Sequence, residues 1–141
     1  MCGGVRFKAQ GDELKVYFPN PKAVMPVRLK NGEHELVAWG RRESQNGFLP
    51  RGGWARLDSI RGGKWSAFNP IPVKIDIEAF MEKDKQNESQ WYELKPGEFI
   101  QGLIATLGNE RRLYVVTEQS EHSHHKNNRW PRVLNEKEGE R

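Results

Sequence analysis

Residues 24–39 read VMPVRLKNGEHELVAW, and this stretch decides the fold class. Two runs of β-forming residues, 24–29 and 35–39, flank Asn31-Gly32. That dipeptide between apolar runs is the strongest short-range hairpin signal a sequence offers. Pro26 has no backbone N–H to give a ladder, so the first run is expected at a sheet edge or a bulge. Working outward, residues 14–18 form another β-rich run. Ile71, Val73, Ile75 and Ile77 alternate with Pro72, Lys74 and Asp76, the period-two pattern of a half-buried strand. Pro96-Gly97 predicts a turn between strands at 91–94 and 99–106, and residues 109–111 connect the latter to a strand at 113–117. Helical signals are few: two turns over 54–60 ending at Gly62-Gly63, and a short helix opening 77–85. The expected class is α+β, mostly β. It is a single domain of strongly curved, barrel-like antiparallel sheets with a few short helices, spanning 1–134, with a disordered polar tail at 135–141.

Composition sets limits on that domain. The chain has 141 residues, 35% apolar and 30% charged. The low apolar share predicts a thin core with long polar loops, and the aromatic residues (5 Trp, 3 Tyr and 6 Phe) are its main fillers. No apolar run approaches the ~20 residues that cross a bilayer, and the start lacks the pattern of a secretory signal. A cytoplasmic monomer without a membrane partner or an obligate protein partner is expected. The net charge is +4, with a pI near 9.3. Its distribution matters more: Arg41, Arg42, Arg51, Arg56, Arg61 and Lys64 crowd the middle of the chain around Trp54 and Trp65. Cations interleaved with flat rings suit phosphate contacts beside stacked, unpaired bases. The same pattern also fits a solvated loop with two core tryptophans. The loops at 40–53 and 62–69 are long enough to be functional or mobile.

Chemistry centres on Cys2, the only cysteine, which excludes an internal disulfide and a multi-thiolate zinc site. Removal of Met1 gives one residue with both a free α-amine and a free thiol. Their pKa values, near ~7.7–8.0 and ~8.5, leave both reactive forms present at neutral pH. Such an aminothiol condenses with aldehydes to a thiazolidine; alternatively its amine serves as base for its own sulfur. Glu82 follows directly on the alternating strand and is a carboxylate with a rigid support; Glu93 is its rival. The cluster Glu121-His122-Ser123-His124-His125 is expected to be a hydrated loop with one catalytic histidine, not a metal site, and no cofactor is expected.

These segments together resemble the SOS response-associated peptidase family, the abasic-site-processing domain. Met1-Cys2-Gly3 resembles its start, Trp39-Gly40 its Trp-Gly motif, and Ala55-Arg56-Leu57-Asp58 its Asn-Ala-Arg-x-Glu segment. Residues 73–83, ending Phe80-Met81-Glu82, resemble the strand into its Phe-Tyr-Glu motif. Gly102-Leu103 and Arg129-Trp130-Pro131 resemble its Ala-Gly-Leu and Arg-Met-Pro segments. The resemblance implies curved β-sheets around a basic cleft for single-stranded DNA, and an amino-terminal cysteine that crosslinks to abasic sites. It implies catalytic roles for Cys2, Glu82 and a histidine, here His125. It implies DNA contacts from Arg6, Arg56 and Arg129, with a stacking face from Trp39 or Trp54. Gly4 stands where the family has arginine, with Arg6 as the substitute; Trp54 stands where it has asparagine, and Asn127 where it has histidine. Two other readings remain open: a single-strand binding module without chemistry, and an amino-terminal-cysteine peptidase or amidohydrolase.

Overall fold

The structure, a computed structural model, describes residues 3–119 and 129–136. The strands are β1 (Gly4–Ala9), β2 (Asp12–Tyr17), β3 (Val24–Arg28), β4 (His34–Ala38), β5 (Trp54–Arg56) and β6 (Ile71–Ile75), followed by β7 (Ala79–Lys83), β8 (Ser89–Glu93), β9 (Glu98–Leu107), β10 (Glu110–Gln119), β11 (Arg129–Pro131) and β12 (Val133–Asn135). A single helical turn and a half, α1 (Leu57–Arg61), and a 3-10 turn at Ser66–Phe68 complete the elements. The fold is mostly β. One sheet runs β2-β1-β7-β8; the other runs β11-β10-β9-β6-β3-β4, with β12 beside β9 and β5 beside β10. Neither sheet closes on itself, so the barrel-like part of the expectation is not met.

The two long strands explain how a chain poor in apolar residues builds a core. In β9 and β10 the central residues are buried on both faces, so their sequences read as continuous apolar runs and not as alternation. Ile104, Leu113 and Val115 face a core shared with Val5, Phe7 and Phe80 of the smaller sheet and with Met25, Val27, Val37 and Trp39. Leu103, Ala105, Tyr114 and Val116 face a second cluster with Leu49, Ala55 and Trp65. The Trp65 ring lies edge-on to Tyr114 at 4.8 Å between centroids. Each aliphatic side chain fully removed from water contributes about 1.5–3 kcal/mol. Trp65, read from sequence among the cations of the basic stretch, is therefore a core residue.

Several expectations are corrected. β3 is an interior strand, between β6 and β4. The Leu29 N–H donates to Glu33 O and the Trp39 N–H to Ala23 O, so odd-numbered residues of β3 bond to β4 and Pro26 turns its missing donor toward β6. There the only register pair is Val27 with Ile75, and the sheet loses little. Residues 54–56, expected to open a helix, are strand: they pair in parallel with Val115, Val116 and Thr117 of β10. The helix expected from residue 77 is strand β7, held between β1 and β8. β1 carries the alternation Val5, Phe7 inward and Arg6, Lys8 outward, which was not singled out from sequence. Asn135 and Glu136, placed in the expected tail, are held in the fold: Asn135 pairs with Glu98 and the Glu136 N–H donates to Gly97 O. Among the described residues no helix is long and apolar enough to cross a membrane.

Candidate functional site

Glu82 lies in β7 on the same face as Phe80, two residues earlier, because side chains alternate along a strand. That face is turned inward: Phe80 is 3% exposed and Glu82 only 2%. Phe80 stacks on Tyr92 of β8, and the Trp130 ring of β11 stands edge-on to both, 5.1 Å and 5.0 Å away. Three rings thus wall the element that carries the carboxylate. Burial pushes the Glu82 pKa above its ordinary value. The Glu82 charge also helps to raise the Tyr92 hydroxyl pKa, after burial and Asp84.

The start of the chain is threaded against this strand. The Gly3 N–H donates to Met81 O at 3.0 Å, and Gly3 O accepts from the Phe18 N–H at 3.1 Å. Gly4 pairs with both Tyr17 and Met81. A Cβ at position 4 would lie 2.9 Å from Cδ1 of Tyr17. The Tyr17 ring therefore takes the space that an arginine there would need. Cys2 itself lies outside the described residues, as does His125 with the rest of the histidine cluster.

Phe18 links this entry point to the tryptophans. Its ring is 5.3 Å from Trp39 and 4.9 Å from Trp54, and the Arg42 guanidinium sits 4.1 Å over its centroid. Trp39 is wholly buried, with its indole N–H donating to Gly53 O at 2.9 Å. It offers no stacking face, and this correction leaves Trp54, which is half-buried. The Trp54 Nε1 is out of reach of solvent and finds no acceptor. Arg42 is nearly buried and donates to Phe18 O and Trp39 O; burial lowers its pKa, and Arg112 adds to the effect. Its work is to hold the 40–53 loop in place.

No protein family, curated protein or solved structure matches this chain. What the site does must therefore be read from its own groups.

Beyond Trp130, a cleft of about 360 Å³ is lined by Arg56, Asp58, Arg61, Glu118 and Arg129, among others. Thr117 explains how these residues meet. It pairs with Arg56 on one side and Pro131 on the other, so the end of β10 brings the β5–α1 corner beside β11. Arg129 donates to Thr117 O at 2.8 Å and to its Oγ1 at 3.1 Å. Burial lowers the Arg129 pKa, the like charge of Arg56 lowers it further, and Asp58 and Glu118 pull the other way. Arg56 grips Asp58 through two contacts of 3.3 Å and 3.1 Å, and that pairing is the first cause of the lowered Asp58 pKa. Three cations against two carboxylates make an anion-attracting corner.

Arg6 does not join it. The guanidinium is engaged by Glu93 at 2.8 Å, Glu13 at 3.2 Å and Glu78 at 3.8 Å. Glu93, the rival carboxylate, serves as its counter-ion. Three acidic partners surround Arg6 on the outer face of the small sheet, away from the arginine cleft.

One aromatic residue escaped the sequence reading. Phe48, in the 40–53 loop, is 83% exposed, yet its loop is pinned: the N–H groups of Phe48 and Leu49 both donate to Glu110 Oε1. Glu110 is itself locked to Arg112 at 2.7 Å. A fixed loop that holds a phenylalanine in water is a presented surface, and Asn46-Gly47 before it was the only signal available from sequence.

Proposed function

We propose that this protein binds single-stranded DNA and forms a covalent adduct with abasic sites through Cys2. The observation that carries the reading is the placement of Gly3, the residue after Cys2, hydrogen-bonded to the strand of a buried glutamate whose pKa burial raises above its ordinary value. A thiazolidine needs such a group. The Cys2 amine adds to the ring-opened sugar aldehyde, and the resulting carbinolamine must be protonated to expel water and give the imine. The Cys2 thiolate then adds to the imine carbon, and the nitrogen takes a proton as the five-membered ring closes. Aldehyde and aminothiol become thiazolidine and one water. Glu82 is the proton donor and acceptor in this scheme, a role that an upward-shifted carboxyl pKa favours. Arg56 and Arg129 receive backbone phosphates, and Trp54 and Phe48 supply faces for unpaired bases.

The test is incubation of the purified protein with uracil-excised single-stranded DNA, followed by denaturing electrophoresis. Wild type yields a retarded band that survives denaturant, Cys2→Ala yields none, and Glu82→Gln forms it at least tenfold more slowly. An adduct undiminished in Cys2→Ala overturns the mechanism, and so does a mature chain that retains Met1 by mass spectrometry.

A second reading, a binding module without covalent chemistry, is favoured by Trp54, whose indole stands where the resembled family has an asparagine. It predicts salt-sensitive binding of intact single strands and no denaturant-stable band with any DNA.

A further inference from the structure

At the opposite end of the shared core from the arginine cleft, the β3–β4 hairpin, the first residues of β6 and the β9–β10 hairpin enclose a cavity of about 650 Å³. Its apolar lining is Val27, Leu29, Ile71, Val73 and Ile104. Exposure falls from mouth to floor: Ile71 is 56% and Leu29 40% exposed, whereas Ile104 is 4% and Val27 2%. Large aliphatic side chains held in water at the rim of an apolar recess are unfavourable unless something covers them. The volume lies within the range of about 300–1,000 Å³ typical of small-molecule sites.

The charges say what kind of molecule fits. Arg28, Lys30, Lys74 and Arg111 line the cavity against two carboxylates, Glu35 and Glu136. Arg28 is held by Asp76 and Glu136, Arg111 by both oxygens of Glu35, and Lys74 lies 3.9 Å from Glu136. These pairs fix the walls. Lys30, in the exposed hairpin turn, makes no ion pair among the described residues, so it is the cation left over. We propose that the cavity binds an amphipathic organic anion, a carboxylate whose linear hydrocarbon chain lies against Val27, Leu29, Ile71, Val73 and Ile104 and whose headgroup meets Lys30. A chain of methylenes matches the lining because every CH₂ removed from water adds to the affinity, and an anionic head completes the charge balance. The site is independent of Cys2 and of the DNA reading.

The experiment is an NMR titration of the ¹⁵N-labelled protein with decanoate, and separately with decyltrimethylammonium, which carries the same chain on a cation. Decanoate is expected to give saturable shifts at Leu29, Val73 and Ile104, with affinity at least tenfold above that of the cation. Lys30→Glu is expected to lower decanoate affinity at least fivefold, and Ile71→Asp to abolish saturation; both side chains are exposed, so neither change should disturb the remaining spectrum. Cys2→Ala should bind decanoate as wild type does. Equal affinity for the two amphiphiles overturns the proposal, as does the absence of saturation. Shifts of the same amides with protein concentration alone would also overturn it, because a second copy of the chain would then be what covers this face.

Discussion

At Glu82 burial acts against the charged form, and the outcome has a measurable sign. Its folded pKa lies above the ordinary 4.5, so the folded state keeps the proton where the unfolded chain has already released it. The stability this contributes is complete below that ordinary value and is lost as pH rises through the folded one. Urea unfolding of wild type and Glu82→Gln between about pH 4 and about pH 8 should therefore show wild type losing ground to the variant as pH rises. A difference that stays flat, or moves the other way, rejects the assignment. The glutamate stood out in the sequence because it follows directly on the alternating run 71–77, although that reading opened a helix where the structure has strand β7. That it would be buried was not legible, since a charged residue in a strand is as readily turned outward. Trp39 and Arg6 show the same limit. Residue type suggested a stacking ring and a phosphate contact, but burial removed the first, and the second is surrounded by three glutamates away from the arginine cleft.

Among the elements, the Trp39-Gly40 step is where local sequence is held most tightly. Gly40 adopts φ of +58°, which costs any other residue strain, and a Cβ there would stand 2.7 Å from the Gly53 Cα. Backbone, unlike a side-chain tip, has little room to give. Gly40→Ala should destabilise the fold by roughly 1–3 kcal/mol from the dihedral alone, with the close contact adding to that. The check is equilibrium denaturation, with Gly11→Ala as reference: Gly11 is also at positive φ but has nothing within 4 Å of its Cβ position. Equal losses in the two variants would mean that the contact with the 40–53 loop is unimportant. The hairpin at Asn31-Gly32 and the turn at Pro96-Gly97 were readable because turn chemistry is local. Strand order was not, and so Pro26 reads as an edge or bulge residue when its missing donor merely faces a thinly paired part of the sheet.

Over the whole molecule, Asp76 ties together segments far apart in the chain. It accepts two hydrogen bonds of 2.6 Å from Arg28 at the end of β3 and lies 2.8 Å from His34 Nε2 at the start of β4. Arg28 also reaches Glu136, just beyond β12. Burial raises the Asp76 pKa, and the bonds from Arg28 and His34 outweigh it, so the folded value lies below the ordinary 3.8. The stability it contributes is present above that ordinary value and lost as pH falls through the folded one. Asp76→Asn should cost roughly 1.5–3 kcal/mol near neutral pH, and the difference should close in acid. Chemical denaturation at a series of pH values measures both. A loss that persists unchanged under acid would assign the effect to packing instead.

The sequence by itself determined the mostly-β class and the hairpins joining β3 to β4 and β9 to β10, because turn residues and alternation act over a few neighbours. Only the tertiary structure decided which side chains face water, and that separated Trp54 and Phe48 from Trp39 and Trp65. It alone set Gly3 on the Glu82 strand and brought Arg56 to Arg129. Those outcomes depend on strands distant in sequence lying 4.7–4.9 Å apart in a sheet, a pairing that no local pattern encodes.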